Sequence, residues 1–101
     1  MSIPATKNGL PPIHPGEFLQ EILQDCNLSQ AALARLLGIS PMRVSHLVRG
    51  ERPVTAEIAL RLGRAFGQTP QDWMSLQTSY DLKIAERDLK DSLRQVRPLV
   101  A

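Results

Sequence analysis

The stretch from Leu28 to Arg52, LSQAALARLLGISPMRVSHLVRGER, most narrows what this chain can fold into. It reads as two short helices separated by a tight turn. Ser29 stands where an N-cap belongs, directly before the first apolar-periodic residues. Ala31, Leu33, Ala34 and Leu37 then share a face at helical spacing. Gly38 supplies the positive φ that closes a helix. Ser40 caps the next start, and Pro41 takes the first helical position, where its missing N–H costs nothing. Val44, Leu47 and Val48 form the buried stripe of the second helix, and Arg43, Ser45, His46 and Arg49 fall largely outside it. Gly50 ends the helix.

Gln30, Ala34, Gly38, Val44 and Leu47 mark five positions of a helix-turn-helix. Ala34 is small because the two helices cross closely there, and Val44 and Leu47 anchor the second helix to the core. A helix held this way is displayed edge-on and can enter a DNA major groove with its N-terminal half leading. The alternative is an ordinary helical hairpin in a small bundle. The polar, arginine-bearing outward face favours the first reading.

A chain of 101 residues is one domain with room for a tail, and 43% hydrophobic residues suffice for a core. That core is modest, so dimerisation can add to stability. Aromatic residues make up only 4%, and long β-branched runs are absent, which favours an all-α fold. The net charge of +2 says little by itself, but between Leu28 and Pro53 four arginines stand against Glu51, a local net of +3. Binding to DNA needs cations near phosphates, and this segment supplies them. A solvated basic face is the plainer reading of the same charges. Cys26, the single cysteine, has no internal disulfide partner and reads as a small apolar filler. No signal peptide or membrane-length apolar run is seen, so a soluble, cytoplasmic protein is expected.

In chain order, residues 1–12 carry Pro4, Asn8, Gly9, Pro11 and Pro12 and read as an irregular arm, with Lys7 its one cation. Residues 13–80 form the DNA-binding domain, with the motif at 29–49. His14-Pro15-Gly16-Glu17 opens the first helix, whose apolar face is Phe18, Leu19, Ile22 and Leu23. Asn27 can break it before Ser29. His14 has no second metal ligand at a fitting spacing and reads as a capping or loop histidine. After the exit loop, Thr55 caps a helix with Ala56, Ile58, Ala59, Leu62 and Phe66 on one side and Arg61 and Arg64 on the polar side. Gly67 closes it. Thr69-Pro70-Gln71-Asp72 starts another, which continues through Trp73, Leu76 and Tyr80. Trp73 is expected as a core anchor with its N–H either bonded or in contact with water. Residues 81–101 are richly charged, with Leu82, Ala85, Leu89, Leu93 and Val96 at helical spacing. They read as an amphipathic helix supported by Glu86–Lys90 and Arg87–Asp91 pairs, or as a marginal helix that frays.

No catalytic constellation emerges. Ser45 and His46 are adjacent on a helix and point apart, so they make no nucleophile–base pair. No phosphate-binding glycine loop and no metal cluster appear, so neither an enzyme nor a cofactor is expected.

Three blocks carry a family resemblance: His14-Pro15-Gly16-Glu17-Phe18-Leu19; Leu28-Ser29-Gln30 through Ala34, Gly38, Ser40, Val44-Ser45 and Leu47; and Ala59-Leu60-Arg61-Leu62, Phe66-Gly67, Trp73-Met74, Leu76-Gln77 and Tyr80-Asp81-Leu82. From Ile13 to Leu82 the chain resembles the HigA-type antitoxins of bacterial toxin–antitoxin modules, in the lambda-repressor-like (Cro/C1-type, XRE) helix-turn-helix class. The resemblance implies a five-helix lambda-repressor-like DNA-binding domain, here with a C-terminal amphipathic helical extension. It also implies a homodimer that binds and represses its own operator, and direct binding to a HigB-type toxin, an endoribonuclease that cuts mRNA on the ribosome. Arg49 stands where the family often has asparagine, which adds a cation.

On that frame, the two helices running from Pro41 to Arg49 in a dimer meet successive major grooves about 34 Å apart. Arg43 and His46 are the candidates for base edges and Met42 for a thymine methyl. Gln30, Ser40, Ser45, Arg49 and Arg52 are candidates for phosphate contacts, and Pro41, at the start of the helix, is a ninth candidate DNA-binding residue. Trp73, Leu76 and Tyr80 are the expected dimer surface. The competing functions are a stand-alone repressor without a toxin and a protein-interaction module on the same fold.

Overall fold

The computed structural model describes residues 11–100. Among them every regular element is helical: α1 Pro15–Asp25, α2 Gln30–Leu37, α3 Pro41–Val48, α4 Ala56–Phe66, α5 Pro70–Asp88 and the short α6 Lys90–Leu93. Most of the arm assigned to residues 1–12, with Lys7, lies outside the described residues.

The helices begin where the sequence supplies caps. Ser29 Oγ accepts from the Ala32 N–H at 3.0 Å, and Ser40 Oγ from the Arg43 N–H at 3.2 Å. Thr55 and Thr69 do the same for α4 and α5. Each bond satisfies one donor that a helix start leaves without an intrahelical acceptor. Between α2 and α3, Gly38 adopts φ 70°, and the Ile39 N–H returns to the Ala34 carbonyl at 3.1 Å. That closes α2 and sends the chain into α3 after three residues, Gly38, Ile39 and Ser40.

The core draws on every long helix: Leu19 and Leu23 from α1, Leu33, Ala34 and Leu37 from α2, Val44 and Leu47 from α3, Ile58, Ala59 and Leu62 from α4, and Trp73 from α5, with Val54 from the loop before α4. α2 packs on α3 and α4 on α5, while α1 lies across α3 and touches α5. Burying each large aliphatic side chain contributes about 1.5–3 kcal/mol. This packing fixes α3 from beneath and leaves its other face outward.

His14 ties three parts of the fold together. Its Nδ1 accepts from the Gly16 N–H at 2.9 Å and so caps α1. The ring also bonds the backbone of Arg52 in the loop after α3, and it meets Tyr80 of α5 edge-on at 5.0 Å. At 8% exposure, burial holds its pKa below the ordinary 6.5, against the opposing pull of the Arg52 bond and of Asp81 and Glu17. The unfolded chain therefore takes up this proton first as pH falls. Stability is full above about pH 6.5 and declines below it, until the folded-state pKa is reached. Urea midpoints at pH 7.5 and 5.5 should show this decline, and His14→Asn, which keeps a capping group, should flatten it. An equal decline in the variant would assign the effect elsewhere.

Several expectations need correction. Cys26 is exposed at the end of α1 and fills no core gap; there its side chain points away from the packed face. Ala31 and Ala56, counted on apolar faces, are exposed in the first turns of α2 and α4, ahead of the packed positions. Arg61 is half-buried and bonded rather than on a free polar side. α3 ends at Val48, with Arg49 as its C-cap. α5 runs unbroken across the boundary drawn at 80/81 and breaks at Leu89 (φ −102°, ψ 10°). That break disrupts the register needed by the expected Glu86–Lys90 and Arg87–Asp91 pairs; Arg87 pairs with Asp88 and Arg94 with Asp91 instead. Leu82, Leu89, Leu93 and Val96 remain uncovered within the protomer.

Candidate nucleic-acid interface

The outward side of α3 borders a groove of about 470 Å³, closed on its far side by the loop into α4. Ser40, Met42, Arg43 and His46 line it from the α3 side, and Arg52, Pro53 and Thr55 from the loop. The structure thus brings together five of the nine candidate DNA contacts. Met42 is 68% exposed although apolar; it has no packing role here and is free to touch a ligand. Pro41 opens α3 beside this groove and is exposed. Ser45 is half-buried, and Arg49 projects at the far end of the helix. Gln30 stands apart, at the first position of α2, beside a second depression of about 430 Å³ between α1 and α2.

The α3 cations are not isolated. Arg43 Nη2 lies 3.2 Å from Glu57 Oε1, and Arg61 Nε donates to Glu57 Oε2 at 3.0 Å. Arg61 Nη1 donates to the Leu37 carbonyl at 2.7 Å, satisfying an acceptor at the end of α2. The Arg43 hydrogen bond and charge, then Arg61, hold the Glu57 carboxyl below its ordinary range, so it is ionised at neutral pH. Glu51 stands 3.8 Å from both His46 Nε2 and Arg49 Nη1.

Sequence reading missed Glu57 and the structural role of the half-buried Arg61. The Glu57–Arg61 spacing of four is a readable signal for their pair. Nothing local signals that Glu57 reaches Arg43, because that contact depends on where the fold sets the start of α4 relative to α3.

Elsewhere the surface changes sign. Between α1 and α5 a cavity of about 290 Å³ has Phe18, Ile22, Trp73 and Leu76 among its walls, with Glu21, Asp25 and Asp72 around it. Three carboxylates repel phosphates, so the α3 groove is the face suited to a polyanion. Of the expected dimer residues, Trp73 is 2% exposed inside its own core, with Nε1 donating to Gln68 Oε1 at 2.8 Å. It has almost no surface left for a second copy. Leu76 and Tyr80 are half-buried. Among the described residues no helix is long and apolar enough to cross a membrane, and no group of three His, Cys, Asp or Glu side chains is placed to hold a metal.

The helix-turn-helix family model HTH_3 matches residues 19–73. Virulence-associated protein I of Dichelobacter nodosus is 52% identical over 100 residues, covering 98% of this chain and 92% of that protein. Antitoxin HigA-1 of Vibrio cholerae is 33% identical over 89 residues, covering 87% and 84%. The solved structure of Pseudomonas aeruginosa antitoxin HigA with the higBA promoter superposes with a TM-score of 0.84 at 42% identity, covering 88% of this chain and 99% of that one. This family is one of DNA-binding regulators rather than enzymes. With the motif geometry, the family model and these relatives in agreement, the chain belongs to the HigA-type antitoxins of the helix-turn-helix class.

Proposed function

We propose that the chain is a sequence-specific DNA-binding antitoxin in the cytoplasm. As a homodimer it represses its own toxin–antitoxin operon, and it neutralises a HigB-type mRNA-cleaving toxin by direct binding. The observation that carries the DNA part is the α3 groove, where Arg43, His46 and Met42 stand outward on a helix whose other face is locked into the core. A relative of the same fold, solved with the higBA promoter, supports it.

In this reading α3 enters the major groove with its N-terminal half leading. Arg43 and His46 meet base edges and Met42 a thymine methyl. Gln30, Ser40, Ser45, Arg49 and Arg52 hold phosphates and set register, with Pro41 fixing the start of the helix. Leu76 and Tyr80, continued by the uncovered stripe Leu82, Leu89 and Leu93, offer the dimer surface.

Arg43→Ala should weaken binding to the chain's own promoter fragment by about 1–3 kcal/mol more than binding to a scrambled duplex. Equal losses on both duplexes would remove Arg43 from base reading. The toxin part rests on the family. Co-expression with the adjacent reading frame tests it: a stable complex that relieves growth arrest supports the antitoxin, and a chain that purifies alone beside a harmless neighbour makes it a stand-alone repressor.

A further inference from the structure

We infer that Glu57 is a specificity-setting positioning residue: it holds Arg43 in one pose across the α3–α4 groove, ready-oriented for a base edge and kept back from phosphates of unrelated sequence. This rests on the proposed base-reading role of Arg43.

Glu57 is itself anchored. Its Oε2 is held by Arg61 Nε at 3.0 Å, and Arg61 is fixed in turn on the Leu37 carbonyl at 2.7 Å. It sits in the first turn of α4, where the positive end of the helix favours a carboxylate. Only Oε1 reaches across to Arg43, at 3.2 Å, and it engages Nη2 alone. A guanidinium has five N–H donors, so most of Arg43 stays free to bond a base edge. Those donors meet the base edge while Oε1 keeps its hold on Nη2 and Arg61 keeps Glu57 in place.

The Arg43 and Glu57 side chains are 45% and 52% exposed, so their pair is weak. A guanine edge offering two acceptors is met by the donors that the pair leaves free, whereas a lone phosphate must draw Arg43 away from Glu57 and is repelled by the nearby carboxylate. The same pair therefore favours the cognate contact over the generic one. Glu51 is less suited to this role, since it stands 3.8 Å from its two partners.

The test is fluorescence anisotropy with the chain's own promoter fragment and a scrambled duplex of equal length. Parent, Glu57→Gln, Arg43→Ala and the double variant are compared. Glu57→Gln should tighten the scrambled duplex by about threefold and weaken the promoter fragment by about threefold, so the specificity ratio falls by roughly tenfold. In the Arg43→Ala background the same change should leave the ratio unaltered. A ratio within about twofold of the parent, or an equal fall without Arg43, overturns the inference. If Arg43→Ala by itself leaves the ratio intact, base reading fails, and that is seen without touching Glu57. Glu57→Asp keeps the charge but withdraws the carboxylate: it should lower the ratio while leaving the scrambled duplex nearly unchanged, and a parental ratio counts against the positioning role. A purely structural Glu57 would lower the melting temperature without moving the ratio.

Discussion

Gly16→Ala is expected to lower the melting temperature by more than about 10 °C, a loss of about 3 kcal/mol or more. Helix propensity alone points the other way, because alanine is better than glycine within a helix by up to about 1 kcal/mol. Sterics decide the sign. A Cβ built on Gly16 comes 2.0 Å from the Leu47 carbonyl oxygen and 2.9 Å from that of Val48. Both atoms are backbone at the end of α3, so no side chain can swing aside. Either α1 lifts off α3, exposing Leu19 and Leu23, or α3 shifts and carries Arg43 and His46 with it. DNA binding should fall along with stability. Gly67→Ala is the control: Gly67 has φ 67° but nothing within 4 Å, so only backbone strain is added, of the order of 1 kcal/mol. A Gly16→Ala protein that melts at or above the parent temperature would mean the α1–α3 approach is looser than it stands here.

How much was legible in the sequence follows the range of the interactions. The motif was readable because its signals are local: Ser29 and Ser40 as caps, Gly38 as the turn, Val44 and Leu47 as the buried stripe, all of which the structure bears out. His14 was readable as a capping residue for the same reason. Its link to Arg52 and Tyr80 was not, because those residues meet it only when α3 and α5 pack. Composition misplaced Cys26, since residue type alone does not tell which way the end of a helix faces. The charged tail was readable as amphipathic, but the break at Leu89 carries no glycine or proline to announce it. Glu57 shows the limit most clearly. Its bond to Arg61 spans one helical turn, while its bond to Arg43 crosses between helices and is where specificity is proposed to be set.

Gln77→Leu should cost about 2–4 kcal/mol, although leucine is a similar-sized apolar residue at a site only 5% exposed. Gln77 Oε1 accepts from the Val54 N–H at 2.7 Å, and its Nε2 donates to Asp81 Oδ1 at 2.9 Å. Val54 is buried in the loop that leaves α3, where its N–H has no helix to bond into. Leucine strands that donor away from water, at a cost of about 1–3 kcal/mol, and adds the strain of a branched side chain in a slot shaped for an amide. Gln77→Glu separates the two bonds. It keeps an acceptor for Val54 but sets a second carboxylate against Asp81, so it should be destabilised at pH 7 and recover as pH falls and the pair shares a proton. Hydrogen exchange at the Val54 amide reads the bond directly: protected in the parent and in Gln77→Glu at acid pH, exposed in Gln77→Leu. Because this loop also carries Arg52 and Pro53 on the wall of the α3 groove, Gln77→Leu should weaken binding to promoter and scrambled duplexes alike. Preserved protection at Val54 in the leucine variant would show that the loop is held by its packing rather than by this amide.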